Sequence, residues 1–317
     1  MMAKWVAYYP LHCNLIRRMF IKTINTLKDK ANIKDNYKTG ILFMLIASIC
    51  IAINGIMVKQ LRHLPVAEIL IFRNITAMIV IPVMIKKAKI PLFGYNKTLL
   101  WSSSLINTIN LIAIYYAFTV MNLTDAITIR NLSPFITFFL AGIFLKEKLQ
   151  LRQIPLLILA FLGGLLVIKP GFRIDIFPAM LALLAAICLA ISHTTLRHLR
   201  LTDHYLVIAN YRFYISSIMN LIILILQKSF KIPHLLDLFL LTLLGAVTLI
   251  GQISITRAYQ LAPASLISLY TYSQIIFVSF FALLFFEEIP DILTIIGAIF
   301  IIISGYLNYK FKSNNKE

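Results

Sequence analysis

Ten apolar runs follow one another along this chain, at residues 39–61, 66–85, 98–119, 122–145, 151–168, 177–196, 204–226, 235–257, 264–286 and 290–309. No other feature constrains the fold as much. A helix needs about 20 apolar residues to cross the hydrocarbon of a bilayer, and each run is near that length. Inside lipid no water satisfies a peptide group, so each run must close its own hydrogen bonds as a helix. The composition agrees: 60% of residues are hydrophobic and 13% charged, more apolar surface than a soluble core absorbs. The connections are short and leave no room for a soluble catalytic domain. The expected fold is an all-α integral membrane protein of ten transmembrane helices.

A net charge of +18 suits either nucleic acid or a membrane, and its distribution decides. Of the 30 lysines and arginines, 21 fall in residues 1–38, 86–97, 146–152, 197–203, 257 and 310–317, six fall in the other connections, and three lie inside runs. Basic residues thus mark alternate connections, which is the positive-inside pattern with both termini cytoplasmic. The surplus reads as topology and contact with anionic membrane lipid, with no nucleic-acid partner. A bacterial inner (plasma) membrane is the expected location. Residues 1–38 hold eight basic residues and no clean apolar stretch, so they do not read as a signal peptide. The segment NLIRRMFIKTINTLKDK reads either as a basic helix on the membrane surface or as an unstructured tail. Cys13, Cys50 and Cys188 form no metal spacing and no disulfide framework. No metal and no cofactor are expected.

The chain also repeats itself. NLSPFITFFLAGIFLKE (131–147) and YSQIIFVSFFALLFFEE (272–288) are apolar runs closing on Glu147 and Glu288, 141 positions apart. SICIAI (48–53) and AICLAI (186–191) match at a shift of 138, Arg73 and Arg212 at 139, and Ala117-Phe118 and Ala258-Tyr259 at 141. Four matches in order divide the chain into a tail (1–38), two five-helix halves (39–170 and 177–310) and a short C-terminal tail (311–317). Five is odd, so the second half enters the bilayer inverted. Inverted repeats packed around a midplane site are a recurring plan of secondary transporters, which open to either side as the halves rock.

Several stretches carry a specific likeness: FRN in the second run, YYAFTVMNLTDAITIRNLSPFITFFLAGIFLKEKL (115–149), RAYQLAPASLISLYTYSQIIFVSFFALLFFEEI (257–289) and LAFLGGLLVIKPG (159–171). With the ten-run layout, they make the chain resemble the drug/metabolite transporter superfamily in its EamA-type branch. The resemblance spans about 39–310 and implies a transporter of a small metabolite. Such families move amino acids, nucleotide-like metabolites including S-adenosylmethionine, cofactors and drugs. In the second repeat Ile275 stands where Pro134 stands in the first, so no proline marks a helix break there.

Hydrocarbon penalises polar side chains, so those inside runs point to a site. Arg73, Arg130 and Arg212 lie inside runs, whereas Glu68, Asp125, Glu147, Glu287, Glu288 and Asp291 lie near run ends. Buried arginines without a central carboxylate suit a substrate bearing carboxylate or phosphate. Asn107, Asn131, Ser133, Tyr211 and the YTYSQ cluster with Tyr270, Tyr272 and Gln274 complete the candidate substrate-binding set, with Pro134 as candidate hinge. Each has a plainer reading: arginines can snorkel, and polar side chains on membrane helices often bond only each other. Glu147 and Glu288 read as caps on neighbouring helix ends. Rival classes are a passive channel or scaffold, and a membrane acyltransferase using His198 and Asp203 at an H-x4-D spacing. No acyltransferase domain surrounds that pair, HEXXH, GXSXG and phosphate-loop motifs are absent, and the chain is not expected to be an enzyme. A homodimer is compatible with the sequence.

Overall fold

Peptide groups that must be satisfied within each apolar run give helices throughout. The computed structural model describes residues 35–314, apart from 62, 121–122, 148, 150, 169–175, 228–229, 232 and 287–291. Most of the basic N-terminal segment, and Glu288, lie outside the described residues. Twelve helices are described: α1 (Tyr37–Gln60), α2 (Val66–Lys87), α3 (Lys97–Val120), α4 (Leu123–Arg130), α5 (Ser133–Leu145), α6 (Gln153–Ile168), α7 (Ile176–Leu199), α8 (Tyr205–Gln227), α9 (Leu235–Leu261), α10 (Ala264–Tyr270), α11 (Ser273–Phe286) and α12 (Ile292–Asn314).

Among the described residues, eight stretches are long and apolar enough to cross a membrane. Two of them are pairs of short helices end to end, α4 with α5 and α10 with α11. The remaining expected runs are helical but different in kind. α3 has 24 residues and carries Ser102, Ser103, Ser104, Asn107 and Asn110. α6 has 16 residues.

The surface is inverted relative to a soluble protein. Ile143, Leu226 and Leu235 are 70%, 76% and 83% exposed, while Ser48, Asn74, Thr108 and Asn308 are fully buried. In water that arrangement would be costly; in lipid it keeps polar groups away from hydrocarbon. The chain is a multi-pass membrane protein.

Helix pairing comes in twos. α1 packs along α9 and α7 along α3; α5 packs on α7 and α11 on α1; α2 packs along α8, and α6 along α12. The last pair touches through glycine, since a Cβ at Gly163 would stand 2.6 Å from the Gly297 carbonyl oxygen. Small residues permit such close backbone contact between membrane helices.

Both broken helices turn tightly at the break. Leu132 N–H donates to Ile129 O (3.0 Å), and Thr271 and Tyr272 N–H donate to Ser268 O and Leu269 O (both 3.2 Å). These are three-residue spacings, tighter than an α-helix. Pro134 sits within the first turn of α5, where its missing N–H would lack an intrahelical partner anyway. It therefore begins a helix and does not interrupt one in the middle. The second break occurs with Ile275 in the equivalent place, so proline is not what makes the break.

Polar contacts gather at two ends of the bundle. At one, the left-handed Lys146 (φ 52°) ends α5 and turns Glu147 towards α10. The Glu147 carboxylate accepts from Ala264 N (3.0 Å), Ser265 N (3.1 Å), Ser265 Oγ (2.9 Å) and Arg197 Nε (3.2 Å). Nearby, Asp203 accepts from Tyr95 N (2.6 Å) and Asn96 N (3.2 Å), and Arg197 Nη1 donates to Gln260 O (3.2 Å). The helix-capping role expected for Glu147 is what the structure contains. At the other end, His63 Nε2 lies 3.1 Å from Asp237 Oδ2, Lys231 N donates to Glu68 Oε2 (3.0 Å), and Lys231 Nζ donates to His63 O (3.1 Å).

Candidate functional site

Between those ends lies a cluster of polar side chains from α3, α4, α7, α8 and α9. Its anchor is Arg212, 3% exposed on α8. Arg212 Nη2 donates to the Ser192 carbonyl oxygen (3.3 Å) and makes a very short contact with Ser192 Oγ. Ser192 Oγ in turn donates to Asn107 Oδ1 (3.4 Å). Arg212 Nε is buried and makes no hydrogen bond among the described residues. A buried cationic donor left over is costly unless something else accepts from it.

His193 follows Ser192 and points into the same cluster. Its Nδ1 lies 3.0 Å from the Tyr259 hydroxyl, and the two rings stack with centroids 4.6 Å apart. The charges of Arg212 and Arg130 both act on the His193 ring, which joins the end of α4 to the cluster. Four of the described carboxylates sit elsewhere: Glu147 and Asp203 at one end, Glu68 and Asp237 at the other. Among the described residues the cluster brings together positive charge and neutral polar groups.

The breaks lie beside it. Asn131 and Tyr272 occupy the two breaks, and the Tyr272 hydroxyl donates to the Asn131 carbonyl oxygen (2.7 Å). Asn131 Nδ2 is buried without a hydrogen bond among the described residues. Ser133 is buried at the start of α5, and Gln274 is half-buried in the first turn of α11. Arg73 is half-buried on α2, where its neighbour Asn74 donates to Ser216 and Ser217 Oγ on α8 (3.3 and 3.2 Å). Thus α2 and α8, which carry the repeat-related arginines, are laced together.

Two further candidates hold their hydroxyls on backbone carbonyls, as Tyr272 does. The Tyr211 hydroxyl donates to Phe93 O (2.9 Å) in the loop between α2 and α3, and the Tyr270 hydroxyl donates to Gly305 O on α12 (2.7 Å). The structure adds Ser192, His193 and Tyr259 to the cluster. A signal for His193 was present: at the 138-residue shift its first-half counterpart is Gly55, and a titratable ring replacing a glycine between repeats stands out.

A family model described as EamA-like transporter family matches residues 38–169 and again 176–310. The chain belongs to the EamA-like transporter family. This is a family of transporters, not enzymes. Among curated relatives, the pseudopaline exporter CntI of Pseudomonas aeruginosa is 29% identical over 274 residues, covering 85% of this chain and 95% of that protein. The S-adenosylmethionine uptake transporter of Rickettsia prowazekii is 23% identical over 269 residues, covering 84% and 90%. A solved crystal structure superposes with a TM-score of 0.79 over 86% of this chain and 99% of its own at 11% identity, which places the EamA-like chain in that fold. The protein is a membrane transporter.

Proposed function

We propose that this transporter moves a small metabolite bearing a carboxylate or phosphate, by alternating access and without ATP hydrolysis of its own, and that Arg212 and Arg130 grip the anionic group. The observation that carries this is Arg212: a guanidinium buried to 3% exposure in mid-bundle, with Nε making no hydrogen bond among the described residues and a second arginine acting on the same histidine. Arginine's planar fork matches carboxylate and phosphate oxygens. The halves 39–170 and 177–310 are read as inverted repeats; helix pairing in twos and a break in each half support that reading. The end holding Glu147 is read as cytoplasmic, because the segments meeting there are the Lys- and Arg-rich ones, in a bacterial inner membrane. Arg73, Asn107, Asn131, Ser133, Tyr272 and Gln274 complete the lining in this reading, with Pro134 at a hinge. One relative is by name a transporter of S-adenosylmethionine, which carries an amino-acid carboxylate.

The test is uptake into proteoliposomes from a metabolite panel, after a thermal screen picks compounds that stabilise the purified protein. Arg212→Ala is expected to remove most uptake with the protein still inserted, and Arg212→Lys to leave it weakened. Wild-type kinetics in Arg212→Lys would mean the residue only snorkels, and the anion reading fails.

A further inference from the structure

The cluster contains one titratable ring that anion binding by arginine does not itself require. His193 is 7% exposed; its Nδ1 is tied to Tyr259 and its Nε2 makes no hydrogen bond among the described residues. Stacking on Tyr259 and the Nδ1 bond together fix the ring's orientation, leaving Nε2 as the nitrogen free to exchange a proton. The counterpart of His193 in the first half is Gly55, where a Cβ would meet no atom within 4 Å.

We infer that His193 couples transport to a proton: the anion held by Arg212 and Arg130 crosses together with a proton carried on the His193 ring. This rests on the anion reading above. An anion at the arginines and a proton on the neighbouring ring have opposite charges, so each favours the binding of the other, and linkage makes the preference reciprocal. The proton comes from water on the side where the anion enters and returns to water on the other; nothing is oxidised or reduced. The charged and titratable groups acting on the ring are Arg130 of α4 and Arg212 of α8, with Tyr259 of α9 in contact and itself acted on by Glu147. Arg257, also on α9, is engaged elsewhere, 4.0 Å over the Tyr205 ring. α4 also holds Asp125 in its sequence, α3 contributes neutral Asn107 through Ser192, and α5 and α10 bring no charged residue. Burial and the two arginine charges disfavour a charged ring before an anion binds; an anion held by those arginines offsets their charge, so the ring takes its proton with the anion and gives it up when the anion leaves.

Calorimetry on the full-length purified protein tests this with three probes: inorganic phosphate, L-glutamate and S-adenosylmethionine. Each is titrated at pH 7.5 in two buffers of different ionisation heat. The expected result is a binding heat that depends on the buffer for wild type, reporting proton uptake, and does not for His193→Gln, whose affinity falls by about 5-fold or more. Buffer-independent heat from wild type overturns the coupling and leaves the anion reading standing. Proton uptake persisting in His193→Gln also overturns the coupling. No heat from any probe overturns the anion reading, and the coupling with it. If His193→Gln does not fold, Tyr259→Phe serves, because it frees Nδ1 with the ring in place. It must move the pH at which proton uptake is half-maximal, and an unmoved profile overturns the coupling.

Discussion

The two ends of the bundle are tied in different ways. At the Glu147 end, two carboxylates reach across between the halves and accept from backbone amides, Glu147 from Ala264 and Ser265, and Asp203 from Tyr95 and Asn96. The ion pair there is desolvated, with Arg197 and Glu147 side chains 7% and 10% exposed. At the opposite end the comparable pair, His63 with Asp237, has a histidine 50% exposed, and Lys231 reaches over the surface to the His63 carbonyl. A buried pair loses much when one partner is removed, because the other charge is stranded; an exposed pair loses little, because water replaces the partner. Glu68, fully buried, also crosses between the halves at the His63 end to accept from Lys231 N, so the difference lies in the ion pairs: the one at the Glu147 end is desolvated and the one at the His63 end is half in water. In the alternating-access mechanism proposed above, such an imbalance favours opening through the His63 end first.

Substitutions can break that comparison. Glu147→Ala should have the largest effect. It removes the carboxylate facing the buried Arg197 charge and uncovers the first amides of α10, and a loss of about 3–5 kcal/mol is expected for a buried pair broken on one side, read as a lowered unfolding midpoint in detergent. A change no larger than experimental scatter would mean the desolvated pair does not hold that end. Tyr272→Phe comes next. It removes the hydroxyl bridging the two breaks and should cost about 0.6 kcal/mol, the average for a hydrogen bond between membrane helices, while lowering uptake if the breaks move together. His63→Gln should shift the midpoint least of the three. A shift as large as that of Glu147→Ala would erase the difference between the ends.

Much of this was legible in the sequence because it rests on local pattern. Apolar length gave helices, the basic residues on alternate connections picked out segments that meet at one end, and the recurrence of Glu147 and Glu288 pointed to related elements. The site was legible only in part. Arg212 and Arg130 stood out because charge inside an apolar run is costly wherever it packs. Tyr211, Tyr270 and Tyr272 looked alike in the sequence, and only packing decides which carbonyl each hydroxyl bonds, Phe93, Gly305 and Asn131 in turn. His193 was passed over because one histidine near a run end carries a signal only when it is set beside its repeat counterpart, Gly55. The second break was invisible for a different reason: it is held by tertiary contacts such as Tyr272 on Asn131, with no proline to announce it.

The reach of Glu147 has a consequence for how the protein is made. Its amide partner Ala264 lies 117 residues further along the chain. A ribosome inserting this protein delivers Glu147 long before the amides that will hold it, and Arg197 arrives first, only 50 residues later. The first half therefore enters the membrane with a carboxylate still waiting, and that end cannot lock until α10 has emerged. Order of synthesis thus leaves the Glu147 fastening incomplete until α10 is made, and the first half made alone would lack the partners of that carboxylate.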